Sequence, residues 1–152
     1  MVSVVPAERR HAEALAADLR PDDAAEIAAT GETPLEALVR SLEASDYARA
    51  AVAEDGAVLA LWGTTPLTLV GGAATVWLLT GNAVERHKLS MLRIARRETA
   101  FMQSRYFCIG NMIDERYAKA QSFARALGFE LAGEATEFGA DGAPFRAAWR
   151  WR

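Results

Sequence analysis

Cysteine is almost missing from this chain: Cys108 stands alone, so no internal disulfide and no cysteine-cluster metal site can form. Histidine is nearly as scarce, and His11 and His87 lie too far apart in sequence to suggest zinc. Apolar runs stay short of the ~18 residues that a membrane-crossing helix needs. Residues 1–6 are too short for the apolar region of a signal peptide and lack its basic lead. A basic excess is also missing. Seventeen basic residues face twenty acidic ones, a formal charge of -3, which makes a nucleic-acid partner unexpected. What the chain does have is apolar side chain. At 152 residues and 51% hydrophobic it can bury one core, and no linker interrupts it, so residues 1–152 are read as one metal-free domain.

Residues 3–5 form a short β-type run closed by Pro6, followed by Ala12, Leu15, Ala16 and Leu19 at helical spacing. Asp23 with Glu26 reads as a capping box opening a short helix that Gly31 ends. Thr33-Pro34-Leu35-Glu36 is a second helix start, with Pro34 in the first turn. Residues 47–54 and 58–63, joined through Asp55-Gly56, predict a hairpin. Residues 74–80 predict a buried central strand, and 88–104 a long helix with Leu92, Ala95, Thr99 and Met102 on one face. A further strand is expected at 106–109 and a helix at 117–127, capped by Gly128. Two last strands, near 131–138 and 145–151, flank a turn, and the final one alternates aromatic residues with arginine. The order predicts an α+β layered domain, a mixed and mostly antiparallel sheet with helices on both faces.

That order, ending in Ala120, Phe123 and residues 126–129, resembles the GNAT N-acetyltransferase fold. A closer resemblance is to the internal virion (core) proteins of short-tailed bacteriophages, a GNAT-like family. It rests on residues 19–23 with Glu26-Ile27, Ser45, Asp55-Gly56 with Gly63, and residues 77–81, 110–114 and 127–129. The resemblance implies a virion-associated structural, assembly or ejection protein, placed in the virion and in the host cytoplasm during assembly. Its partners would be other virion proteins, with self-association, and its cofactors none. Trp149 and Trp151 either offer an interface on a terminal strand at a sheet edge or close the protein's own core. The alternative that the resemblance carries is an acetyl-CoA-dependent N-acyltransferase. A third reading is a small-ligand module using the same cleft.

GNAT enzymes hold the coenzyme A pyrophosphate on backbone N–H groups at a helix start, after a glycine-bearing loop. The matching residues here are 86–91; Arg86 fits, but Leu89 and Met91 stand where glycines belong and are expected to obstruct the cradle. On the resemblance, Leu79, Thr80, Arg86, Lys88 and Ser90 are the candidate cofactor contacts, and the proton-donating tyrosine position falls on Ala124. Asp114, Glu115 and Tyr117 follow a strand near the expected cleft and are the candidate catalytic groups, an acid there being able to act as general base. Capping or dipole-complementing roles compete for the two acids. Asn111 is read as a loop-ordering hydrogen bonder, Cys108 as a small buried apolar residue, and Arg93, Arg96 and Arg97 as a basic face turned to solvent.

Overall fold

A computed structural model describes residues 1–68 and 70–152. The chain runs through β1 (Val2–Pro6), α1 (Arg9–Ala17), α2 (Pro21–Ala28), α3 (Pro34–Ala44), β2 (Tyr47–Ala53), β3 (Val58–Pro66) and β4 (Ala73–Thr80). A short 3-10 turn (Asn82–His87) leads into α4 (Lys88–Arg105), then β5 (Cys108–Asp114), α5 (Ala118–Ala126), β6 (Glu130–Leu131), β7 (Thr136–Glu137) and β8 (Pro144–Trp151). The strands form one sheet in the order β1-β2-β3-β4-β5-β8-β6, with β7 also on β8. Every pairing is antiparallel except β4 with β5. This is the α+β mixed sheet expected from the sequence.

Local chemistry explains the boundaries. Thr33 accepts the Glu36 amide while Glu36 accepts the Thr33 amide, the reciprocal cap that starts α3. Gly128, at φ +87°, turns the chain out of α5 in a conformation other residues resist. Gly63 has no room for a side chain, since a Cβ there would sit 2.4 Å from the Tyr47 carbonyl oxygen. Helices α1, α2 and α3 cover one sheet face, where Leu15, Ile27 and Leu38 pack on Leu61, Trp77 and Leu79. On the other face, Met91, Ile94 and Met102 of α4 pack on Trp62, Ala74 and Ile109. Among the described residues no helix is long and apolar enough to cross a membrane.

Several expectations need correcting. Asp23 and Glu26 do not open a helix: α2 begins at Pro21, so both acids lie inside it. Proline suits the first helical position because its missing N–H has no intrahelical partner there. The strand expected at 106–109 is β5, which starts later and runs on to Asp114. The buried stripe of α4 is Met91, Ile94, Glu98, Thr99, Met102 and Gln103; Thr99 and Met102 of the expected face belong to it, and Leu92 and Ala95 are half-buried beside it. Strand β8 is not a sheet edge, because β5 pairs with one side of it and β6 and β7 with the other. Trp149 is half-buried there and Trp151 is exposed, its ring edge against Phe107. Cys108 is half-buried rather than fully enclosed.

Candidate functional site

The one parallel pairing is short. β4 and β5 are in register only from Ala73 with Cys108 to Thr75 with Gly110, and beyond that point the strands separate. Val76 through Thr80 therefore have β3 on one side and no strand on the other. Backbone groups alternate along an antiparallel strand, and Gly81 N–H bonds Leu59 of the β3 arm, so the odd-numbered residues of β4 face β3. The Val76 and Leu78 peptide groups consequently face the opening, while the Thr80 carbonyl on the same side accepts the Arg20 backbone N–H at 3.0 Å. Asn111 sits where the strands part, its Nδ2 donating to the Val76 carbonyl at 2.8 Å and its Oδ1 accepting the Met112 amide at 2.7 Å.

A cavity of about 500 Å³ occupies the opening. Its apolar lining includes Leu78, Met91, Leu92, Ile94, Ile113, Phe123 and Leu127. Glu98 of α4 enters this wall as a buried acid, with its carboxylate taken by the Tyr47 hydroxyl at 2.6 Å, the Trp62 indole N–H at 3.2 Å and the Arg97 guanidinium. Burial and the Glu98 carboxylate push the Tyr47 hydroxyl up to about 12. With all its partners in place, Glu98 is a fixed part of the wall.

Asp23, Glu26 and Tyr117 line the cavity, together with Arg20, Glu85, Lys88, Glu98 and Lys119. Asp23 and Glu26 are three residues apart on α2 and so share a helix face. Asp23 accepts the Thr80 hydroxyl, and burial raises its carboxyl above the usual range despite that bond. Glu26 reaches across to accept the Asp114 backbone N–H at 3.0 Å. Burial pushes Glu26 up to about 7; the Asp114 amide opposes this, and the charges of Asp23 and Asp114 add to it. Tyr117 stands at the N-cap of α5. Burial first, then the Asp23 charge, raises its hydroxyl far above the ordinary value, so it stays protonated. That hydroxyl has no hydrogen-bond partner among the described residues.

The residues expected from the sequence divide between this cavity and other places. Tyr117 lies in it with Ala124, seven residues on along the same face of α5, so a tyrosine hydroxyl enters two turns before the position where the resemblance put one. Asp114 is otherwise committed: Arg116 donates to its carboxylate from its backbone N–H, Nε and NH2, and these bonds hold the carboxyl low. Glu115 is gripped by both ends of Arg146 and likewise held low. Of the candidate cofactor contacts, Thr80 and Lys88 line the cavity. Leu79 is packed on the far side of the sheet against α1 and α3, Arg86 is exposed at the end of the 3-10 turn, and Ser90 is half-buried in the first turn of α4. Glu26 and Asp23 were missed because an acid pair at that spacing also fits a cap. The distinguishing signal was Pro21, which starts the helix two residues earlier.

Most of the cavity lining is apolar side chain, and the Leu78 peptide groups lie along its edge. At its rim the first turn of α4 carries no side-chain cap and no acid of its own, and Lys88 there is ion-paired to Glu85 at 2.5 Å. Leu89 is 73% exposed and outside the cavity lining, whereas Met91 is buried and lines the cavity.

No family model matches the chain, and no curated protein matches it in sequence. Solved structures do. A provisionally assigned phosphinothricin N-acetyltransferase is 16% identical with a TM-score of 0.74, covering 99% of this chain and 98% of its own. Spermidine N-acetyltransferase from Vibrio cholerae, in complex with CoA and spermine, is 12% identical with a TM-score of 0.72, over 99% and 95%. An aminoglycoside 6'-acetyltransferase type Ii is 16% identical with a TM-score of 0.70, over 98% and 96%. These neighbours are acetyltransferases, which corrects the expectation of a phage virion structural protein. One of them holds CoA, which fits the acetyl-CoA alternative and not the expectation of no cofactor. The chain has the GNAT acetyltransferase fold.

Proposed function

We propose that this protein is an acetyl-CoA-dependent N-acyltransferase acting on a primary amine. The observation that carries the reading is the parting of β4 and β5 over a cavity that holds a near-neutral carboxyl and a protonated tyrosine. Spermidine and aminoglycosides, the acceptors named for two fold neighbours, are amines, which supports the same class. Acetyl-CoA, when bound, supplies an acyl group activated by a thiol leaving group.

The chain's own residues supply the proton handling. An amine is protonated at neutral pH and must lose a proton to attack. Glu26, pushed up to about 7 by burial, can take and hold that proton, directly or through water. The nitrogen bonds to the acyl carbon, the carbon–sulfur bond breaks, and the sulfur needs a proton. The Tyr117 hydroxyl, which has no competing partner among the described residues, gives the sulfur its proton. The second proton that the nitrogen sheds as the amide forms restores the phenol, directly or through water, while the first leaves Glu26 to solvent. Lys88 and the first-turn amides of α4 would hold the pyrophosphate, and the Leu78 peptide edge the arm.

The test is thiol release from acetyl-CoA with a panel of diamines, aminoglycosides and amino acids. Turnover with an amine, lost in Glu26→Gln, supports the reading. Absence of both turnover and acetyl-CoA binding overturns it.

A further inference from the structure

We propose that Asn111 is a positioning residue whose side-chain amide replaces one hydrogen bond of the β4–β5 ladder, holding the strands apart and setting the cleft's affinity for the acyl donor. The inference rests on the acyltransferase reading for its functional half and on strand geometry for the rest.

The ladder itself shows what is replaced. Just before the pairing begins, Cys108 N–H donates to the Gly72 carbonyl at 2.9 Å. In a parallel pair each further bond lies two residues along both strands. The following bonds would therefore run from Gly110 to Ala74, from Met112 to Val76 and from Asp114 to Leu78. The register continues as far as Thr75 with Gly110 and then stops. At the next rung, Met112 N–H and the Val76 carbonyl do not meet. The Asn111 carboxamide stands between them, Oδ1 taking the Met112 amide at 2.7 Å and Nδ2 giving a proton to Val76 at 2.8 Å. It behaves as an extra peptide unit inserted into one rung, so both backbone groups stay satisfied while the strands move apart.

The rung after that is broken differently. Asp114 N–H goes to Glu26 Oε2 at 3.0 Å, and the Leu78 carbonyl receives no donor among the described residues in exchange. One inserted amide thus converts a pair of zipped strands into a cleft edge with a free acceptor and places Glu26 at its mouth. Only asparagine and glutamine carry a donor and an acceptor side by side in the way this rung requires, and glutamine is a methylene longer. Alanine would leave two backbone groups unserved or let the strands close. Aspartate keeps the shape and the acceptor but turns a second oxygen toward the Val76 carbonyl.

Full-length wild type, Asn111→Ala and Asn111→Asp would be compared by calorimetric titration with acetyl-CoA and by thermal melting. The expected result is that both variants bind acetyl-CoA about tenfold more weakly, while the near-isosteric Asn111→Asp melts within a few degrees of wild type. A general loss of structure would instead lower affinity and melting temperature together. Binding by Asn111→Asp within about twofold of wild type overturns the proposal, whatever Asn111→Ala does. Should wild type bind no acetyl-CoA, the acyltransferase reading fails on its own. The inserted rung is then judged by proton exchange at the Asn111 carboxamide, followed by NMR. Exchange about tenfold slower than in a free peptide sustains the rung, and a free-peptide rate overturns it.

Discussion

Glu26 on α2 accepts the backbone N–H of Asp114 at the end of β5, 88 residues further along the chain, and the same carboxyl titrates near 7. A carboxyl that is buried yet bonded to a single amide holds its proton longer than one in water. Two pH effects follow, of opposite kinds.

Activity should rise with pH through about 7 as Glu26 becomes able to accept the amine's proton. A kcat/KM profile for wild type should show this limb, and Glu26→Gln should flatten it at a much lower rate. A limb of unchanged position in Glu26→Gln would assign it to another group.

Stability should change the other way. The unfolded carboxyl releases its proton near 4.5 and the folded one near 7, so the folded state binds more protons between those values. The Glu26 contribution is fully present below 4.5 and is lost as pH rises through about 7, a change of about 3 kcal/mol. Urea unfolding at pH 5 and pH 8 measures it, and Glu26→Gln should remove most of the difference.

Tyr117→Phe deletes a hydroxyl that bonds to no described residue, so melting should hardly move. If that hydroxyl protonates the leaving sulfur, kcat should fall about a hundredfold. A fall of less than about threefold would remove Tyr117 from the proton path.

At the rim, Lys88 lines the cavity and Arg86 does not. Lys88→Ala should weaken acetyl-CoA binding several-fold, and Arg86→Ala should leave it within about twofold. Leu89→Gly, which removes the exposed bulk from the first turn of α4, should tighten binding. The reverse order of the two cation variants would return the phosphate contact to Arg86.

Phe145 is 2% exposed and meets Phe138 at 5.3 Å between ring centroids, while Phe138 is 57% exposed. Phe145→Ala should cost about 3–5 kcal/mol and Phe138→Ala far less. Denaturant midpoints of the two variants check the order.

The elements with strong local chemistry were legible from the sequence. The Thr33 cap, the Asp55-Gly56 hairpin turn and the Gly128 exit each depend on residues close along the chain. The site was not legible in the same way, because it depends on contacts between distant segments. Nothing near Glu26 says that it will meet Asp114, and nothing near Asn111 says that Val76 will lie 2.8 Å away. Asp114 and Glu115 were visible as acids after a strand, but the arginines that occupy them lie two and 31 residues away and carry no local signature. Tyr117 was visible because its position at a helix start, beside a strand end, is set locally.

The short β4–β5 register has a mechanical side. Strands β1 to β4 form one antiparallel block and β5 to β8 another, and in the sheet only three residue pairs join them. Bending between the blocks therefore stretches fewer backbone bonds at this seam than at the neighbouring junctions, where β3 and β4 share seven pairs and β5 and β8 share seven. The seam between the two blocks borders the cavity, so a guest that touches both blocks would stiffen the sheet across it.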